Sequence, residues 1–194
     1  MKKEISKLVL LCLFIIGISS NQRAGTISLL PIKHEVNDTI PVKITLDKTA
    51  FNDMNILFIT DTAATTEGIK DVLGKAYGEI MQFVQKNRLQ PLKFMAWYGS
   101  SQPPWIMDVA VEVNKTPETA SGRVHSKVQP GGEVLIAHIW GPYDQVGQAY
   151  IAIGKWMNEN HRQAKSASFE VYINDPATVK DPSEIQTDVY QQLE

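Results

Sequence analysis

Apolar residues recur along this chain at two periods, and the switches between them mark out its elements. Leu73, Tyr77, Ile80 and Val84 fall at i, i+4, i+7 and i+11, and Val146, Tyr150, Ile153 and Met157 repeat that spacing. This is the apolar stripe of an amphipathic helix, so helices are expected over 71–87 and 144–160. Strand-like runs lie between them: "MNILFIT" (54–60), "FMAWY" (94–98), "WIMDVAVEV" (105–113), "EVLIAHIW" (133–140), "SFEVY" (168–172) and "EIQTDVYQQL" (184–193). Two earlier runs, "VKITL" before "FNDMN" and "GRVHSKV" before "QPGGE", are each expected to form a hairpin with the strand that follows. Pro130-Gly131 suits the tight turn of the second.

The elements come twice in one order. Asp71, Gly74, Ala76, Tyr77, Ile80 and Asn87 match Asp144, Gly147, Ala149, Tyr150, Ile153 and Asn160 at a constant offset. Strand, strand, helix, strand, strand surrounds each match, which predicts an α+β fold built from a tandem duplication. The first half is placed at 41–113, a polar linker at 114–121 and the second half at 122–194. An antiparallel sheet covers one face with its helix and leaves the other free. A ligand cleft is therefore expected between the two halves.

The first forty residues are of different material. Lys2, Lys3 and Lys7 precede the unbroken run "LVLLCLFIIGI", and "SSNQ" follows with small and polar residues. That order predicts a secretory signal peptide over 1–20, with Gly17-Ile18-Ser19 as a cleavage site. Its apolar run is short of the roughly 20 residues a spanning helix needs, so no stable membrane span is expected after cleavage. The alternative is an uncleaved N-terminal anchor. Residues 21–40 form an extension, either a tether or an extra edge strand. The only cysteine, Cys12, lies inside the leader, so the exported chain, periplasmic or extracellular, would have no disulfide and no thiolate chemistry.

Of 194 residues, 43% are hydrophobic and 21% charged, with a formal net charge of -2. These values describe a soluble globular protein and give no reason to expect nucleic acid as a partner. The four histidines, His34, His125, His138 and His161, show no i, i+4 pairing, and neither a metal site nor a cofactor is expected.

One position resists the pattern. In "SASFEVYINDP" (166–176), alternation puts Phe169 and Val171 on one face and Ser168, Glu170 and Tyr172 on the other. We expect Phe169 and Val171 to pack under the second helix, which leaves Glu170 and Tyr172 facing the cleft. In the first half, with a one-residue slip, Ala96 corresponds to Glu170 and Tyr98 to Tyr172, and Phe94 shares their face. Tyr143, Trp140, Trp105 and His138 are candidates for the cleft wall. Trp97, Trp156, Tyr77 and Tyr150 are expected in the core, the tyrosine hydroxyls there still needing partners. Glu170 could instead be satisfied by a lysine or a backbone donor at the sheet surface.

The second half resembles the GyrI-like small-molecule-binding domain, the effector-binding domain of AraC- and MerR-type regulators. The resemblance rests on the Gly-Gly turn before a strand, Gly141-Pro142-Tyr143 at the helix entrance, Tyr150 and Trp156 within it, and Glu170-x-Tyr172-x-x-Asp175-Pro176 beyond. It extends over about 41–194. It implies a pseudo-symmetric tandem fold, a cleft with an acidic residue carried here onto Glu170, and amphipathic or cationic aromatic ligands. Some relatives look like hydrolases of strained electrophilic compounds. Departures are Ala167 and Ser168 in place of the usual Gly-Pro before the glutamate strand, and no attached DNA-binding segment.

Three functions follow. The first is a binding protein in which Glu170 meets a cation and Tyr98, Tyr172, Trp105 and Trp140 supply ring faces. The second is a hydrolase with Glu170 as general acid or base and Tyr172 holding developing charge. The third is a structural or protein-interaction module. The ligand's identity and the oligomeric state are left open.

Overall fold

A computed structural model describes residues 42–116 and 122–194. The leader, the extension over 21–40 and the linker beyond residue 116 lie outside the described residues. The first half comprises β1 (Lys43–Phe51), β2 (Met54–Ala63), α1 (Ile69–Lys86), β3 (Pro91–Tyr98) and β4 (Trp105–Val113). The second comprises β5 (His125–Gln129), β6 (Gly132–Trp140), α2 (Gly147–Glu159), β7 (Phe169–Tyr172) and β8 (Gln186–Gln192), with a one-turn 3-10 helix, Tyr143–Gln145, leading into α2. No described helix is long and apolar enough to cross a membrane.

The duplication extends to the helix ends. Asn87 and Asn160 each turn the side-chain amide back onto a carbonyl four residues earlier, Phe83 and Trp156. The next residue takes a left-handed conformation in both, Arg88 at φ 53° and His161 at φ 52°. Leu89 N–H then bonds to the Val84 carbonyl, and Arg162 N–H to that of Met157, closing the same C-terminal motif twice. Each helix also carries two glycines, Gly74 and Gly78 in α1 and Gly147 and Gly154 in α2, at about 1 kcal/mol each relative to alanine. Burial offsets this: in α1, Ile80, Phe83 and Val84 are inside, and each such side chain contributes about 1.5–3 kcal/mol. Packing rather than propensity holds the helices.

All eight strands form one antiparallel sheet, in the order β1-β6-β8-β7-β3-β4-β2-β5. The halves join edge to edge, with β3 alongside β7 and Ala96 directly across from Glu170. The expected local hairpins do not form. β1 pairs with β6 of the other half and β5 with β2, so the halves exchange their first strands. At the crossing the two connections touch: Gly131 N–H donates to Asp53 Oδ1 at 2.8 Å, and a Cβ on Gly131 would sit 2.3 Å from the Phe51 carbonyl oxygen. Only glycine fits that approach.

Both helices lie on the same face of the sheet. α1 packs on β2 and β4, and α2 on β6, β1 and β8. One core forms under each: Leu57, Ile59, Val109 and Val111 under α1, Leu135, Ile139 and Val189 under α2. A third cluster, with Met54, Ile56, Met95, Ala110, Phe169 and Val171, occupies the helix-free face. This corrects the expected orientation of β7. Phe169 and Val171 face away from the helices, and Glu170 and Tyr172 face toward them. Alternation fixes which residues share a face; which face meets a helix depends on the neighbouring strand, here β3.

Candidate functional site

Because α1 and α2 stand on outer strands, the central pair β3 and β7 has little helix above it. Phe94, Ala96 and Tyr98 from β3, and Glu170 and Tyr172 from β7, share the helix-bearing face of this pair and form the floor of the site. Tyr77 leans in from α1 and Tyr150 from α2. Glu170 is 8% exposed. Its Oε1 accepts from the Tyr150 hydroxyl at 3.0 Å, and its Oε2 from the Tyr172 hydroxyl at 2.9 Å. The Tyr98 and Tyr172 hydroxyls are 3.1 Å apart, and Tyr77 donates to the Met95 carbonyl at 3.0 Å.

Ring contacts complete a box. Phe94 meets Tyr77 edge-on at 5.2 Å, Trp105 meets Tyr98 edge-on at 6.2 Å, and Tyr143 meets Tyr172 edge-on at 5.7 Å. Trp105 is anchored by its indole N–H on Thr66 Oγ1 at 3.2 Å. Tyr143, 40% exposed, stands between the box and solvent. Of the chain's six tyrosines, Tyr77, Tyr98, Tyr143, Tyr150 and Tyr172 are here; Tyr190 lies on the opposite face.

Burial disfavours the charged carboxylate and pushes Glu170 up to about 7, while the Tyr172 and Tyr150 hydroxyls pull the other way. Among the described residues no lysine, arginine or histidine forms an ion pair with it. Burial and the Glu170 charge raise Tyr77, Tyr98, Tyr150 and Tyr172, so these hydroxyls keep their protons at neutral pH. The result is one ionisable acid, held by neutral donors and surrounded by aromatic rings.

Of the residues singled out from the sequence, Glu170, Tyr172, Tyr98, Trp105 and Tyr143 come together, with Ala96 and Phe94 on the same floor. Trp140 and His138 do not join them. Leu135 and Ile139 of β6 belong to the core under α2, so alternation turns His138 and Trp140 to the other face. There His138 Nδ1 is 2.8 Å from Asp188 Oδ1, and Trp140 borders a surface pocket with Lys43, Ser183 and Glu184. Trp97, expected in the core, is half-buried and stacks on Phe169 at 4.6 Å on that helix-free face. Trp156 is half-buried against the core under α2.

Tyr77 and Tyr150 pack against the cores under α1 and α2, as their place on the apolar stripes suggested, and their hydroxyls reach into the box. The available signal was the hydroxyl itself, the only polar group on each stripe and in need of a partner. Among the described residues no group of three histidine, cysteine or acidic side chains is arranged to hold a metal ion.

A duplicated antiparallel sheet with two helices on one face, and a single acid ringed by tyrosines between them, has the build of a small-molecule-binding domain. The chain belongs to the GyrI-like small molecule binding domain family, whose profile matches residues 47–194. No curated protein matches it. Among solved structures, an EcmrR–DNA complex superposes with a TM-score of 0.67 at 18% identity, covering 78% of this chain and 57% of that one. The chain thus spans little more than half of EcmrR, and the isolated EcmrR C-terminal domain is covered over 98% of its length, at a TM-score of 0.63 and 15% identity. A hydrolase from Listeria innocua gives a TM-score of 0.56 at 11% identity, covering 77% of this chain and 91% of that one. SAV2435 bound to tetraphenylphosphonium gives 0.51 at 11% identity, covering 77% and 94%. At such identities the likeness establishes the fold alone.

Proposed function

We propose that this protein binds amphipathic, cationic aromatic small molecules between α1 and α2, with Glu170 as the counter-charge and Tyr98, Tyr172, Tyr150, Tyr143 and Trp105 as the walls. One observation carries the reading: a buried carboxylate with two tyrosine donors and no basic partner among the described residues. A delocalised cation supplies the missing charge and gains about 0.5–2 kcal/mol from each ring face it meets. The basic, apolar and small order of residues 1–20 supports export of the protein, which would then sense or sequester a compound outside the cytoplasm.

Tetraphenylphosphonium and the neutral triphenylphosphine oxide form a suitable probe pair. Calorimetric titration is expected to show Glu170→Gln weakening the cation at least tenfold and leaving the neutral compound within twofold. Equal loss for both, or none for either, overturns the reading. Because Glu170 must ionise to serve, affinity for the cation should rise as pH increases toward about 7 and level off above it.

A second reading is favoured by the same carboxyl. A group titrating near 7 beside hydroxyl donors lies in the range for general acid or base catalysis. Hydrolysis of a strained electrophile such as an epoxide, abolished in Glu170→Gln and retained in Lys155→Ala on the exposed face of α2, would place this reading first.

A further inference from the structure

The direction of the hydrogen bonds in the box specifies more than its charge. A tyrosine hydroxyl has one proton and two lone pairs, and a carboxylate has only lone pairs. When Glu170 is ionised, Tyr150 and Tyr172 give it their protons. Tyr172 then has none left for its 3.1 Å contact with Tyr98, so Tyr98 is the donor there. Tyr77 gives its proton to the Met95 carbonyl, and the Trp105 indole N–H is held by Thr66 Oγ1. Every proton on these inner groups is committed inside the protein; Tyr143, 40% exposed at the rim, is the one wall residue whose hydroxyl has no acceptor among the described residues. What remains for a ligand is lone pairs: two on the carboxylate, one on Tyr172, and those of Tyr77, Tyr98 and Tyr150.

From this committed network we infer that the inner box around Glu170 accepts hydrogen bonds and donates none, and so selects protonated amines or amidines on an aromatic frame over quaternary onium ions of the same size. The inference rests on Glu170 being the ligand's counter-charge. A quaternary ion satisfies the carboxylate by charge alone and leaves the tyrosine lone pairs without partners, away from water. An N–H cation satisfies both, and charge-assisted hydrogen bonds are the stronger kind. An anion, or a neutral ligand whose polar groups are only acceptors, meets only lone pairs around Glu170.

Two planar tricyclic monocations separate these cases: 9-aminoacridinium carries N–H groups, and 10-methylacridinium carries none. Fluorescence titrations at pH 8.5 should show 9-aminoacridinium binding wild-type protein at least fivefold more tightly, with Glu170→Gln weakening both. Acridine-9-carboxylate should not bind. Parity of the two cations, or tighter binding of 10-methylacridinium, with Glu170→Gln still weakening both, overturns the donor preference and leaves the counter-charge reading standing. If Glu170→Gln changes neither affinity, or neither cation binds, the counter-charge reading falls and this inference with it. The comparison of the cations uses unmodified protein and does not depend on a variant's folding.

Discussion

Across the β3–β7 junction, the first half presents Phe94, Ala96 and Tyr98 with Tyr77 leaning in from α1. The second half presents Ser168, Glu170 and Tyr172 with Tyr150 leaning in from α2. Ala96 and Glu170 are cross-strand neighbours, and the tyrosines correspond in pairs. Where Glu170 exists, Tyr150 bonds to it; where Ala96 stands instead, Tyr77 turns to the Met95 backbone carbonyl. Duplication has thus built a nearly two-fold aromatic cradle, and one position gives it a charge and a direction. Under the proposed function, a ligand with a single positive end would enter such a site in one orientation.

This contrast can be tested by removing the charge, moving it, and loosening its support. Removal has the largest expected effect, on stability. Glu170 is raised from an ordinary 4.5 to about 7 in the folded chain, so the native state holds a proton that the unfolded state has released between those values. The associated stability is fully present below pH 4.5, declines as pH rises, and is gone above about 7, a loss of about 3 kcal/mol. Glu170→Gln has no such group to ionise. In urea denaturation it is expected to match wild type near pH 4.5 and to exceed it at pH 8 by up to that amount. A variant less stable than wild type at pH 8 would show that Glu170 holds the fold rather than burdening it.

Moving the charge comes next. Glu170→Ala alone should lower tetraphenylphosphonium affinity about a hundredfold, in keeping with the few kcal/mol that two opposite charges about 4–6 Å apart are worth at an effective dielectric constant of about 20. Adding Ala96→Glu puts a carboxylate beside Tyr77 and Tyr98, and should recover at least tenfold of the loss. A double variant as weak as the single one would mean that the two cradles are not interchangeable. Loosening the support has the smallest effect. Tyr150→Phe deprives the carboxylate of one donor and should weaken the cation about tenfold, moving the pH midpoint of binding upward. Tyr77→Phe, which touches no carboxylate, should leave that midpoint unchanged, and equal midpoint shifts would remove the distinction between the halves.

Much of this was legible in the chain. The repeated stripe of Tyr77, Ile80 and Val84 with Tyr150, Ile153 and Met157 located both helices to within a few residues, because helical period is a local property. Alternation in 166–176 singled out Glu170 before any tertiary contact was known. The exchange of β1 and β5 was not legible: a run such as "VKITL" carries no mark of the strand it will pair with, and its partner in β6 lies some ninety residues away. For the same reason the common helix face was missed, and with it the turning of His138 and Trp140 to the opposite side. The partner of the Tyr150 hydroxyl was not legible, because a tyrosine on an apolar stripe looks the same whether its hydroxyl meets a carbonyl or a carboxylate.

The Glu170 carboxyl is buried and pushed up to about 7, and the proposed function makes a cation its partner. Carbon-13 NMR of the Glu170 side-chain carboxyl, assigned by its disappearance in Glu170→Gln, measures this directly in a pH titration with and without saturating tetraphenylphosphonium. The midpoint is expected near 7 in the free protein, and at least one unit lower with the cation bound, because a neighbouring positive charge favours the ionised form. A midpoint near 4.5 in the free protein, unmoved by the cation, would contradict the account.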